Sequence, residues 1–145
     1  MAHIVAPTLA ATSRSGYAAG SMPTIPEREV QHETMLQIGQ LPFLRIWRQN
    51  VGKARAFDNP RRVISFGPPK GAADLSGLLA CGRRLEVECK TAIGHQSTEQ
   101  VMFQDMIEHL GGIYLLVRSA DDAKKQLASH VQACSVCASK KTWTD

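Results

Sequence analysis

The stretch "ADLSGLLACGRRLEVECK", Ala73 to Lys90, reads as two apolar segments joined by a turn centred on Gly82. Asp74 stands at its start, and Glu86, Glu88 and Lys90 alternate near its end. Successive strand side chains point to opposite faces, so Leu85, Val87 and Cys89 share one face and Glu86, Glu88 and Lys90 the other. Pairing across the turn brings Asp74 and Glu88 together at one end of a sheet, with Lys90 beside them. Two hard carboxylate ligands, with room for water and a phosphate oxygen, suit Mg2+ or Mn2+. Such an ion polarises a phosphodiester and lowers the pKa of a bound water. Lys90 can hold or deprotonate that water and offset charge building on the phosphorane. The Cys89 backbone carbonyl, between Glu88 and Lys90, is a further candidate ligand. The bland alternative is a solvated surface on which Glu88 and Lys90 form an ion pair of little worth. Glu86 shares the parity of Glu88 and would replace it if the register slipped; an outer position is expected for it.

Positioning these groups falls to the flanking elements. "TIPEREVQHETMLQIGQL" predicts a first helix, with Thr24 as N-cap, Pro26 in the first turn and Glu27 closing a capping box. Val30, Met35 and Ile38 supply part of its apolar face. "FLRIWR" (Phe43 to Arg48) and "RRVISF" (Arg61 to Phe66) read as strands separated by "QNVGKARAFDNP". "GPPKGA" is a turn leading into the strand that holds Asp74. After "RRLEVECK", Ser97 caps a second helix and Gln100 completes its capping box. Met102, Phe103, Met106, Ile107 and Leu110 form the expected buried stripe, and Gly111-Gly112 ends it. "IYLLVRS" is a continuous apolar strand of the kind buried on both faces. Ser119 caps a last helix through roughly Val131. The order helix, four strands, helix, strand, helix indicates an α/β (mixed α+β) architecture, a mixed sheet flanked by helices.

The chain has 145 residues, 43% hydrophobic and 21% charged, which fits one soluble domain with a real core. No apolar run reaches the roughly 20 residues of a transmembrane helix, so no membrane partner is expected. Residues 1–24 contain no acid and only Arg14 as a base. They read as a disordered leader without the marks of a secretory signal. The folded domain is expected over 25–131, with a ragged tail over 132–145. Cys81 and Cys89 sit in or beside strands as small apolar residues. Cys134 and Cys137 form a single CxxC, and without a second pair or a His pair it does not specify zinc. Reduced thiols in a cytosol are the simpler reading. His32, His95 and His109 show no ligand spacing.

Net charge is +4, unevenly spread. Phe43 to Lys70 holds seven bases (Arg45, Arg48, Lys53, Arg55, Arg61, Arg62, Lys70) against Asp58 alone, +6 in 28 residues. A block of this kind suits a polyanion, with a solvated surface as the alternative. Next to the carboxylates, Arg48, Asn50, Lys53, Arg55 and Lys70 are candidate phosphate contacts.

Asp74 followed by Glu88-Cys89-Lys90 resembles the PD-(D/E)xK nuclease superfamily. The wider match, from about Pro26 to Leu127, resembles its virus-type replication-repair branch, VRR-NUC. It is carried by "PEREVQ", "IWRQNVGKAR", "ISFGPPKGAADLSGLL", "LEVECKTAIGHQSTEQ" and "GGIYLLVRSADDA" in shared order and spacing. Ala73 departs from the pattern where proline would be expected; that position shapes backbone and holds no metal. The resemblance implies a restriction-endonuclease-like core, Asp74 and Glu88 as metal ligands, and Lys90 as the catalytic lysine. It also implies that Glu27 and Gln100 complete the site, although both fit capping boxes as well. The implied activity is Mg2+- or Mn2+-dependent endonucleolytic hydrolysis of DNA. Branched DNA such as four-way junctions, a homodimer, and the cytoplasm of a bacterial or phage-infected cell are likewise implied. The alternatives are a non-catalytic DNA-binding protein on the same fold, and a nuclease acting on linear duplex or single-stranded DNA.

Overall fold

The computed structural model describes residues 24–50 and 52–140. The expected leader therefore lies almost wholly outside the described residues, as does the end of the tail. The chain forms α1 (Glu27–Ile38), β1 (Leu44–Arg48), β2 (Gly52–Arg55), β3 (Val63–Phe66), β4 (Leu75–Leu79), β5 (Arg84–Cys89), α2 (Thr98–His109), β6 (Ile113–Val117), α3 (Ala120–Gln132) and α4 (Ser135–Ser139). It is a mixed α+β protein whose central mixed sheet runs β1-β4-β5-β6. β1/β4 and β4/β5 are antiparallel, and β5/β6 is parallel. A parallel neighbour needs a crossover, and α2 supplies it.

Strand parity sorts the sheet into two faces. Leu75, Leu79, Leu85, Val87, Cys89, Ile113, Leu115 and Val117 join Val30 and Ile38 of α1 and Ala123 and Leu127 of α3 in the main core. Tyr114, of the opposite parity on β6, packs with Ala73 and with Phe103 and Ile107 of α2. The sheet is thus covered on both sides, and β6 is buried along nearly all its length, as its unbroken apolar run requires. The β4–β5 turn closes with Gly82 at φ 84°, a backbone region that favours glycine.

Several expectations need correction. The four strands before α2 become five, because "GKAR" forms β2 and pairs with β3 in a separate two-stranded sheet. β3 therefore does not join the central sheet. Thr24 does not cap α1: Pro26 occupies that position with no side-chain cap bond. The stripe of α2 is narrower than its apolar residues suggest. Phe103 and Ile107 are buried, whereas Met102, Met106 and Leu110 are exposed, since only one side of the helix meets the sheet. The tail is not ragged through residue 140, because Cys134 leads into α4 and Cys137 is buried in the main core. Asp74 stands immediately before β4 rather than within a strand.

Candidate active site

The β4–β5 register sets Leu75 opposite Val87, which places Asp74 beside Glu88 at the open end of the hairpin. The Asp74 Oδ2 accepts a 2.9 Å hydrogen bond from the Cys89 backbone N–H. The Asp74 carbonyl accepts one of 2.8 Å from Gln49 N–H, fastening the residue to the end of β1. In a strand the N–H and C=O of one residue face the same neighbour, so the Cys89 carbonyl also faces the Asp74 side. Burial raises the Asp74 carboxyl above its ordinary range, against the lowering pull of the Cys89 N–H and the Lys90 and Arg48 charges.

Glu88 is 1% exposed. Its Oε1 lies 2.6 Å from Lys90 Nζ and accepts from the Gln100 side-chain amide. Its Oε2 is buried with no hydrogen-bond partner. Burial pushes the carboxyl up to about 7, assisted by the charge of Asp74 and opposed by Lys90. An unsatisfied buried polar atom costs about 1–3 kcal/mol, and more when charged. A cation at this oxygen would relieve that cost; Glu86 Oε2 is also buried without a partner, but the residue opposite it is Ser76 rather than Asp74. Asp74, Glu88 Oε2 and the Cys89 carbonyl are all hard oxygen donors, a set that fits Mg2+ or Mn2+.

Lys90 is 8% exposed. Burial alone would lower its pKa, but the Glu88 hydrogen bond and the charges of Glu88, Glu27 and Asp74 outweigh it and raise it. The amine is thus held as an ammonium, which suits a charge-offsetting role better than deprotonating water. Glu27, the first residue of α1, sits 4.0 Å from Lys90 Nζ. With no capping box at Thr24, its side chain is not spent on closing the helix start. Gln100 closes the capping box and also touches Glu88: its Oε1 accepts from Ser97 N–H at 2.8 Å while its NH2 group donates to Glu88.

Glu86 is not in an outer position. It is fully buried, accepting from Ser76 Oγ at 2.8 Å and from Arg84 Nε at 2.6 Å. Its cross-strand partner, Ser76, could not be identified from parity alone. Arg118 was also not singled out from the sequence. It donates to the backbone carbonyls of Thr91 and, at 2.9 Å, Gly94, pinning the loop that follows Lys90.

Of the candidate phosphate contacts, Arg48 lines a cleft of about 380 Å³ with Arg28 and His32 of α1. Lys53 and Arg55 are exposed on β2, and Asn50 is exposed just before it. Lys70 forms an ion pair with Glu99 of α2. That pair is seated by Gly71, where an added Cβ would meet the Glu99 backbone oxygen at 2.2 Å. His32, His95 and His109 are all exposed, as surface or helix residues should be. Compared with known proteins, the chain matches no family model, no curated protein and no solved structure.

Proposed function

We propose that the chain is a divalent-metal-dependent endonuclease with a restriction-endonuclease-like core, hydrolysing DNA phosphodiesters through Asp74, Glu88 and Lys90. The observation that carries this reading is the buried Glu88 carboxylate, one oxygen paired to Lys90 and the other without a partner, beside Asp74 on the same sheet end. Further support comes from the run of α1, the antiparallel β1-β4-β5 set, α2 and parallel β6, which fits the nuclease core implied by the resemblance.

Asp74, Glu88 and the Cys89 carbonyl would hold Mg2+ or Mn2+. A bound cation supplies Lewis acidity toward the phosphate and a more acidic water. The chain's own residues do the rest. Gln100 ties Glu88 Oε1 down, which leaves Oε2 as the oxygen that would meet a cation. Lys90, kept protonated by its acidic neighbours, offsets negative charge that builds as the phosphorane forms. Glu27 orients the ammonium from its second side. Arg48 brings a positive charge near Asp74, where the DNA backbone would pass. A homodimer would present two such sites to a near-symmetric branched substrate such as a four-way junction.

The test uses full-length protein stripped with chelator, then a synthetic four-way junction, a flap and a linear duplex, each with and without Mg2+. Junction cleavage only with metal is expected, and abolished in Asp74→Asn and Glu88→Gln. Calorimetric titration with Mn2+ should show weakened binding in both folded variants. Cleavage and metal affinity unchanged in the variants would remove the two carboxylates from the site.

A further inference from the structure

A second cluster of ligand-type side chains lies away from the carboxylates. Cys81, at the β4–β5 turn, and Cys134 and Cys137, at the start of α4, bring their Sγ atoms within 4.8 Å of one another. Asp74 and Cys81 flank opposite ends of β4, about 23 Å apart at strand rise, so the two clusters are separate sites. Cys137 is buried, while Cys81 and Cys134 are partly exposed, and none is oxidised. We propose that Cys81, Cys134 and Cys137 bind one thiophilic cation of the Zn2+ class, joining the hairpin turn to the C-terminal helix.

The chemistry follows from the donors. Thiolates select soft or borderline cations such as Zn2+, and they discriminate against the hard cation suited to Asp74 and Glu88. With Zn–S near 2.3 Å, a tetrahedral site sets sulfur–sulfur edges of about 3.8 Å. Each pair here therefore needs to close by at most about 1 Å. Two cysteines with two residues between them, joined by a third from elsewhere, follow the usual spacing of such sites. Among the described residues no fourth His, Cys, Asp or Glu completes the group, so water takes the remaining position. The partial exposure of Cys81 and Cys134 gives the ion its way in. Binding displaces the thiol protons to solvent as each Zn–S bond forms, with no change of oxidation state.

The alternative is that the thiols merely pack: Cys137 belongs to the main core, and Cys81 and Cys134 pack against its edge. Metal binding separates the two. Reduced full-length protein would be stripped, given Zn2+ alone, desalted and assayed for retained metal. Co2+ substitution would be followed by its sulfur-to-metal charge-transfer absorption. One equivalent of zinc is expected in the wild type and in Asp74→Asn, with thiolate absorption in the cobalt form. Cys81→Ser and Cys134→Ser, at the two less buried positions, should each weaken zinc at least tenfold and abolish the drop in Tm that a chelator causes in the wild type. Failure to retain zinc, zinc unaffected by Cys81→Ser, or cobalt lacking the thiolate band would overturn the proposal. So would a Cys134–Cys137 disulfide that persists under reduction and excludes zinc.

Discussion

Glu88 is buried beside a lysine that it pairs with and an aspartate that repels it, and the balance holds its carboxyl near 7. Metal ligation needs the ionised form, so proton and cation compete for it. Apparent Mg2+ affinity should fall about tenfold for each pH unit below 7 and level off above it, measured by titrating metal at a series of pH values. The same shift has a stability consequence. The unfolded chain gives up this proton near 4.5 and the folded chain near 7. Between those values the folded state binds more protons, so metal-free stability should decline as pH rises through that window. A chelated protein whose Tm is flat there, or Glu88→Gln with the same slope as wild type, would contradict it. On the proposed reading, Lys90 serves chemistry more than binding. Lys90→Ala should lower the single-turnover cleavage rate by about 10²-fold or more while junction affinity in Ca2+ changes little. Lys90→Arg should not rescue the rate, because a planar guanidinium cannot take the place of a compact ammonium 2.6 Å from Glu88. Wild-type cutting by Lys90→Ala would leave the strand without its proposed catalytic group. That Asp74, Glu88 and Lys90 come together was legible because strand parity and one glycine turn are strong local rules. The burial of Glu86 was not, since it depends on Ser76 across the strand pair and on the reach of Arg84.

At the scale of elements, capping decides which side chains are available. α2 begins with the capping box read from Ser97 and Gln100, whereas α1 begins at Pro26 and leaves Glu27 facing Lys90. Serine and threonine mark helix starts only statistically, and a proline with preset φ can serve without any side-chain bond. β2 escaped notice because its four residues include a glycine and two bases and lack a strand's apolar alternation. The outward Met102, Met106 and Leu110 show the opposite limit: an apolar stripe marks what a helix could bury, and contact with the sheet determines what it does bury. The loop after β5 is secured from another element altogether, by Arg118 at the end of β6. Arg118→Ala takes the side-chain donor from the Gly94 carbonyl and leaves that of Thr91 with only the Gly94 N–H. It should cost about 1–3 kcal/mol, read by denaturant unfolding, and lower cleavage through a looser Lys90. Wild-type stability and rate together would show that the loop holds itself.

Across the whole molecule, the site draws Glu27 from α1, Asp74 from before β4, Glu88 and Lys90 from β5 and its end, and Gln100 from α2. Helices on both sides of the sheet must dock before the set is complete. The excess positive charge was readable along the chain. Its division between Arg48 beside the site and Lys53 and Arg55 on a separate two-stranded sheet was not, because it depends on β2 pairing with β3 alone. If phosphates are contacted there, affinity for DNA should drop steeply with salt. Arg48→Ala combined with Lys53→Ala should then reduce the slope of log K against log salt by up to about two units. A slope untouched by the pair would put the DNA on another surface.

The capping box at the start of α2 also removes an ambiguity that amide side chains usually keep. Gln100 spends its oxygen on Ser97 N–H, so the end that meets Glu88 has to be the NH2 group. Position 100 is thereby polarised: acceptor toward the helix start, donor toward the carboxylate. Glutamate closes a capping box equally well and is nearly the same size. At this position it would preserve the helix and set oxygen against oxygen, so two residues that are interchangeable to the helix are opposites to the site.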